Sequence, residues 1–318
     1  MKLTNISDFK IGRFVQGFYI CKEKHLRNTR NNDLYLDLLL ADTSGTIKGI
    51  MWDMINDFQN RFDIGDPVAV KGKVSEFNDK LQLTITLINR ATSSQYGQYG
   101  YSPEKLVKKV DEPITDLWDR LSKTVKTIKS PLKELVTTIL KKNKQKIMII
   151  PASVNHNFPL AGGFLKHLVD VSDTIIEILP HYLELDRDLT LAGVILHDIG
   201  KVKSINDGLV PNHTDTGKLF GHMILGRDTI IEAAKSINNF PNDLLAKLEH
   251  IILTHGETPD NNTVTNTVTV PQFPEALCVH YVCELDKKLN LMLDIIKNDP
   301  NQDWASFHSQ FKTEILKK

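Results

Sequence analysis

The hydrophobic period of this chain changes once, from two to about 3.6, and that change constrains the fold more than any other feature. In residues 34–40, LYLDLLL, Leu34, Leu36, Leu38 and Leu40 occupy every second position, the pattern of a half-buried strand. Val68, Val70 and Val74 alternate with Ala69, Lys71, Lys73 and Ser75, and Leu81, Leu83, Ile85 and Leu87 alternate with Lys80, Gln82, Thr84 and Thr86. Asn78-Asp79 supplies a turn signal between those two runs. Residues 13–21 and 46–52 complete a set of five strands, and the polar–apolar stretch 53–62 interrupts them after the third as a candidate helix. Five short strands with that interruption predict a small Greek-key barrel of the OB type over residues 1–90.

Residues 91–103, rich in Ser, Gly and Tyr, have no periodicity and are expected to be a linker or loop. Ser102 and Pro103 then make a helix-start signal. Leu117, Leu121, Val125 and Ile128 recur at helical spacing, and Pro131 opens a second amphipathic segment reaching about Lys142. From Pro151 onward the periodicity is helical. The expected organisation is therefore a β-barrel at 1–90, a linker with basic connecting helices at 91–150, and an all-α domain at 151–318.

A length of 318 residues exceeds a typical single domain, in line with that division. Charge is balanced overall, at 39 Lys+Arg against 39 Asp+Glu, but unevenly placed. Residues 104–146 hold 12 basic and 6 acidic side chains, a net of about +6, whereas residues 147–318 hold 14 and 22, about −8. A basic segment beside an acidic one suits an anionic ligand held in front of a carboxylate-rich site. No uncharged apolar run approaches the roughly 18 residues that span a bilayer, which excludes a helical membrane protein. The N-terminus, MKLTNISDFKIGRF, lacks the apolar core of a signal peptide. Three cysteines, Cys21, Cys278 and Cys283, form neither a disulfide framework nor a zinc pattern. A reducing, cytoplasmic location is expected.

The chemistry is carried by His and Asp in the helical half. His167 lies in GGFLKHLVDVSD, and His197-Asp198 ends the apolar stretch LTLAGVILHDIGK. His222 lies in GKLFGHMILG, His255 in LEHIILTHGE, and Asp286 in PEALCVHYVCELDKKL. Each sits in or beside an apolar helical pattern, where a polar side chain needs a partner. Imidazoles and carboxylates converging from several helices make a site for a borderline or hard divalent ion.

The ordered set His…His-Asp…His…His…Asp resembles the HD metal-dependent phosphohydrolase superfamily. Together with an OB-like barrel ahead of it, the whole chain is similar to the YhaM-type 3′–5′ exoribonucleases. The resemblance implies that His167, His197, Asp198 and Asp286 hold one metal, with Asp198 bridging to a second completed by His222 and His255. The cofactor it implies is one or two divalent ions, with manganese expected and iron, cobalt or zinc accepted by the same donors. Lys201 occupies the lysine of the family's HDIGK and is implied to face the scissile phosphate, and His156 is implied to contact substrate. The implied reaction is metal-dependent hydrolysis of single-stranded RNA, and of single-stranded DNA as a second substrate, releasing nucleoside 5′-monophosphates from a 3′ end. Family members are often multimeric, so a homo-oligomer is expected. The family pattern has His-His-Gly where this chain has Thr254-His255-Gly256, and residues 257–270 are unusually rich in Thr and Asn.

Other residues carry weaker signals. His181, His213, His280 and His308 read as structural or surface residues. His250 lies five residues before His255, about 140° around a helix, and does not share its face. Asp170, three residues after His167, either orients an imidazole or belongs to a solvated face. On the barrel, Tyr35 of the second strand with Lys48 and Trp52 of the third offers an aromatic and basic surface for single-stranded nucleic acid. Tyr96, Tyr99 and Tyr101 read as linker residues. Two other functions use the same residues: a phosphohydrolase of mononucleotides or cyclic nucleotides, and a nucleic-acid-binding protein with a vestigial metal site.

Overall fold

The computed structural model describes residues 3–29, 31–154, 160–256 and 269–317. They form two compact units, Met1–Lys108 with Asp207–Pro211, and Lys109–Asn206 with Asn212–Lys318.

The first unit is built on β1 (Phe14–Asn28), β2 (Leu34–Asp42), β3 (Gly45–Met51), β4 (Pro67–Phe77) and β5 (Lys80–Arg90), closed in the order β1-β2-β3-β5-β4. Within the barrel, β3 and β5 pair in parallel and the other pairs are antiparallel. This is the OB topology, with the short helix α1 (Ile55–Phe58) between β3 and β4. The period-2 residues Leu36, Leu38, Leu40, Val68, Val70, Val74, Leu83 and Ile85 are buried inside, together with Tyr19, Phe58 and Phe62. Asn78 and Asp79, both at positive φ (50° and 58°), make the β4–β5 hairpin turn that their types favour. Strand β1 pairs with β4 along its first half and with β2 along its second. A register shift between Cys21 and Glu23 bends it from one partner to the other.

Leu87 is exposed, against the simple alternation of β5, because the pairing register shifts where Lys71 faces Leu87 and Gly72 faces Ile85. The extra residue reverses the parity, so Ile88 takes the inward place. Leu34 at the start of β2 is likewise exposed.

Residues 91–103 are not a free linker. They contain α2 (Ser93–Tyr96) and a 3₁₀ turn. Tyr101 is buried with Ile20, Ala91 and Leu106, and Phe18 meets the rings of Tyr96 and Tyr101 edge-on at 5.7 and 5.1 Å. Pro103 opens only another 3₁₀ turn, Pro103–Lys105, in which Ser102 makes no side-chain cap.

The second unit contains α3 (Ile114–Lys126), α4 (Leu132–Ile147), α5 (Gly163–Ile178), α6 (Arg187–Leu196), α7 (Lys201–Ser204), α8 (Asp215–Ala234), α9 (Asn242–Thr254) and α10 (Pro274–Asn298). The apolar faces of α3 and α4, including Leu117, Leu121, Leu135 and Ile139, share one core with α5, α6, α9 and α10. These two helices therefore belong to the helical unit, not to a connector reaching residue 150, because burying their stripes is what stabilises them. A hairpin, β6 (Trp304–His308) and β7 (Thr313–Leu316), follows α10, where helical structure alone was expected. No helix among the described residues is long and apolar enough to cross a membrane.

Candidate metal centre and nucleic-acid face

Five helices deliver the His/Asp set to one point. His167 projects from α5, whose start is set by Gly162 at φ 80°. His197 caps the C-terminus of α6, and Asp198 follows in the tight turn into α7. His222 lies on α8 directly after Gly221, which breaks the helical path at φ 70°, ψ 163°. His255 caps the C-terminus of α9, and Asp286 lies on α10. Gly200 lets the turn and α8 touch: a Cβ there would lie 1.8 Å from the carbonyl oxygen of His222.

Asp198 is the centre. His222 Nε2 and His255 Nε2 each lie 3.2 Å from its Oδ1. His197 Nε2 and His167 Nε2 lie 3.3 and 3.6 Å from its Oδ2, and Lys201 Nζ makes an ion pair with the same oxygen. The side chains of His167, His197, Asp198 and His255 have no solvent exposure, whereas His222 retains 27%. Solvent therefore reaches the cluster at His222.

The tautomers follow from the outer contacts. His197 Nδ1 is 2.7 Å from the carbonyl of Val194, and His255 Nδ1 is 2.7 Å from that of Ile252. A carbonyl only accepts, so both Nδ1 atoms donate. His167 Nδ1 faces Asp286 Oδ2 at 2.6 Å and donates likewise. Their Nε2 atoms then face inward, with His167 and His197 Nε2 only 3.1 Å apart. Asp198 Oδ2 is buried without a hydrogen bond of good geometry. Three imidazole edges and a carboxylate facing one another in a buried space make a donor set that a divalent ion bound by N and O fits. Two groups have donor atoms within 4.8 Å of one another: His167, His197 and Asp198, and Asp198, His222 and His255.

Burial lowers His167, His222 and His255, the last to about 3, so these rings stay neutral. Burial also acts to lower His197, but Cys283 and Asp198, each hydrogen-bonded to it, outweigh that and raise it to about 10. Desolvation works against the charged form of Asp198, yet Lys201 and His197 hold its carboxyl well below the usual range.

Asp286 stands one step outside these groups. Its Oδ2 holds His167, and its Oδ1 accepts from Asn290 Nδ2 at 2.9 Å. Lys201 is spent on Asp198 itself. Asp170 pairs with Lys166 at 2.5 Å and so belongs to a charged face. His250 Nε2 accepts from the backbone of Gln272 at 3.1 Å and packs on Phe273, a structural role. Thr254 is buried and donates to the carbonyl of His250 at 2.8 Å. His156 and residues 257–268 of the Thr/Asn-rich stretch lie outside the described residues. Cys283, beside His197, was missed by sequence reasoning. Its spacing of three from Asp286 on α10 was the available signal.

On the barrel, Tyr35 and Trp52 meet with ring centroids 4.9 Å apart and planes at 32°, and Trp52 is 47% exposed. Asp37, beside them on β2, accepts from Lys48 at 3.4 Å and from Arg27 at 3.1 Å. Arg27 was not singled out from sequence. It faces Tyr35 across the β1–β2 register, and no local pattern reveals a cross-strand partner.

Residues 164–288 match the family model described as HD domain. The 3′–5′ exoribonuclease YhaM of Shouchella clausii is 28% identical over 294 residues, covering 90% of this chain and 88% of that protein. YhaM of Oceanobacillus iheyensis is 27% identical over 289 residues, covering 89% and 86%. Among solved structures, the second OB-fold domain of replication protein A from Methanococcus maripaludis covers 28% of this chain and 94% of that one, at 19% identity and a TM-score of 0.24. The chain is thus an OB-like barrel followed by a helical unit with an HD domain, and it resembles the YhaM exoribonucleases over nine-tenths of its length.

Proposed function

We propose that this chain is a metal-dependent 3′–5′ exoribonuclease that shortens single-stranded RNA, and accepts single-stranded DNA as a second substrate. The observation that carries this reading is the convergence of four imidazole nitrogens on the two oxygens of one buried carboxylate, Asp198. His167, His197 and Asp198 would hold one divalent ion, and Asp198, His222 and His255 a second. Ions so held would lower the pKa of a bound water toward about 7 and would offset negative charge developing at phosphorus. Asp286 holds His167 in the tautomer that turns its lone pair inward. Lys201 keeps Asp198 ionised and adds positive charge where the phosphate arrives, beside the open His222 side. Manganese is the expected native ion. The three cysteines are free thiols, as suits a reducing cytoplasm.

A 5′-labelled single-stranded RNA of about 20 nucleotides tests the reading directly. A ladder shortening from the 3′ end in Mn²⁺ and no cleavage in EDTA are expected. An intact strand in both would overturn it.

The ion and a proton compete for His197, whose pKa of about 10 lies above neutrality, so ion affinity should rise with pH. The slope is about tenfold per unit up to pH ~10 for one displaced proton. His255, lowered to about 3, has no proton to lose at neutral pH. Titration calorimetry at pH 7.5 in two buffers of different ionisation enthalpy should report about one proton released by the first ion. Release of none would contradict the assignment of His197 as a donor.

For the strand-binding face, Trp52→Ala removes one ring of the Tyr35–Trp52 pair. Loss of one stacked base costs about 1–3 kcal/mol, which predicts roughly 5- to 150-fold weaker binding of an RNA oligomer. Hydrolysis at saturating RNA should stay near the parent rate. Unchanged binding in a fluorescence anisotropy titration would remove the barrel face from the substrate path.

A further inference from the structure

Three observations meet at His222, where solvent reaches the centre. The first is the segment just ahead of it. Residues 215–220 are set off from the rest of α8 by the break at Gly221 (φ 70°, ψ 163°). This turn is pinned to α7. Thr214 Oγ1 accepts from Gly217 N at 3.0 Å and donates to the Lys203 carbonyl at 2.8 Å. A Cβ on Gly217 would stand 2.4 Å from the Ser204 carbonyl oxygen. Gly217 is buried there, whereas Leu219 and Phe220 are 76% and 56% exposed. Two residues of chain span at most about 7 Å, so the Phe220 backbone lies within that distance of His222. Singly exposed apolar residues are ordinary on a surface, but this pair stands on a fixed turn beside the opening of the centre.

The second observation is a cation from α10. Lys287 follows Asp286, which holds His167, and its side chain is 27% exposed against 64% for Lys288. Glu284, itself buried, steadies it, with Oε1 3.5 Å from Nζ. Burial comes first in lowering Lys201 and His222, and the charge of Lys287 acts to lower both further. Its ammonium therefore stands near both side chains, since a like charge acts in this way at short range. The third observation is the commitment of Lys201, which is 12% exposed and has its charge offset by Asp198. A phosphate arriving beside His222 would meet Lys287 as the cation nearer to solvent.

We propose that this opening seats the terminal nucleotide of the strand, with Phe220 under its base and Lys287 on its phosphate. The assignment rests on the exonuclease reading, because it takes the bound group to be a strand end. A base stacks on an exposed aromatic face without regard to sequence, which suits an enzyme that removes each nucleotide in turn. An ammonium on a flexible stem holds a phosphate as a point charge and so makes no demand on the base either.

Adenosine 5′-monophosphate and ribose 5-phosphate share the phosphate and differ by the base. Titration calorimetry of the Mn²⁺-loaded chain should give at least about fivefold tighter binding of the first. In Phe220→Ala that ratio should fall to about one, and Phe220→Tyr should restore it. Lys287→Met should weaken both probes about equally, by threefold or more at low salt and by less at high salt. Mn²⁺ should raise the thermal midpoint of each variant as it does that of the parent, which separates a lost seat from a lost centre. A parent that binds the two probes alike would overturn the proposal, as would a Phe220→Ala ratio equal to the parent's. Unchanged binding of both probes by Lys287→Met would remove Lys287 from the seat. Neither probe is a strand, so a parent that leaves RNA intact yet prefers adenosine 5′-monophosphate would refute the exonuclease reading and keep the nucleotide seat.

Discussion

Replacing Asp198 with alanine is expected to reduce RNA hydrolysis by at least about 1,000-fold while leaving the helical fold in place. The size follows from its position. Asp198 belongs to both donor groups, so its loss takes a ligand from each at once. No neighbouring carboxylate can substitute, because Asp286 is engaged by His167 and Asn290. The fold should survive because the core of the helical unit is built from Leu, Ile and Val of α3 to α10, and Asp198 contributes no apolar packing. The variant also leaves Lys201 buried without its ion-pair partner, and burial then favours the neutral amine. Two measurements check the assignment. The far-UV circular dichroism of Asp198→Ala should match the parent, and Mn²⁺ should raise the thermal midpoint of the parent but not of the variant. A variant that hydrolyses RNA at more than a tenth of the parent rate would remove Asp198 from the site.

Gly200→Ala is expected to have the largest structural effect of any one-methyl change in this part of the chain. Its backbone is ordinary helical (φ −63°, ψ −16°), so the requirement for glycine is not conformational. The added Cβ would stand 1.8 Å from the His222 carbonyl oxygen and 2.5 Å from the Gly226 nitrogen, both backbone atoms of α8. Backbone atoms cannot rotate away as a side chain would, so α8 must move off the turn. Overpacking of this kind costs about 1–3 kcal/mol and more where the backbone is rigid. A unit of this size should lose roughly 2–12 °C of thermal midpoint. Because α8 carries His222, the same movement should open the Asp198–His222–His255 group and weaken ion binding there. A midpoint within about 1 °C of the parent would show that the turn and α8 do not touch as described.

Much of the fold was legible along the chain because its signals are local. Period-2 leucines and valines between turn residues mark strands, and helical spacing with capping residues marks helices, since both report which side of one element faces a core. The parity change in β5 was not legible, because a bulge depends on the partner strand and leaves the alternation of the strand's own sequence intact. The place of residues 91–103 against the barrel escaped for a related reason: Tyr101 is buried by Ile20, Ala91 and Leu106, the first of them eighty-one positions away.

At the site, four sequence blocks named the residues that the tertiary structure brings together, His167, His197, Asp198, His222 and His255. What the order of residues alone determined is which chemistry the chain carries and on which elements. Residue type and helical position are intrinsic to the chain. Which atom does what was decided only by the tertiary structure. Asp286 lies against His167 Nδ1, Lys201 is committed to Asp198, and the carbonyls of Val194 and Ile252 turn two imidazole Nε2 atoms inward. These roles rest on distances of about 3 Å between groups up to 119 positions apart, and no local pattern encodes such distances.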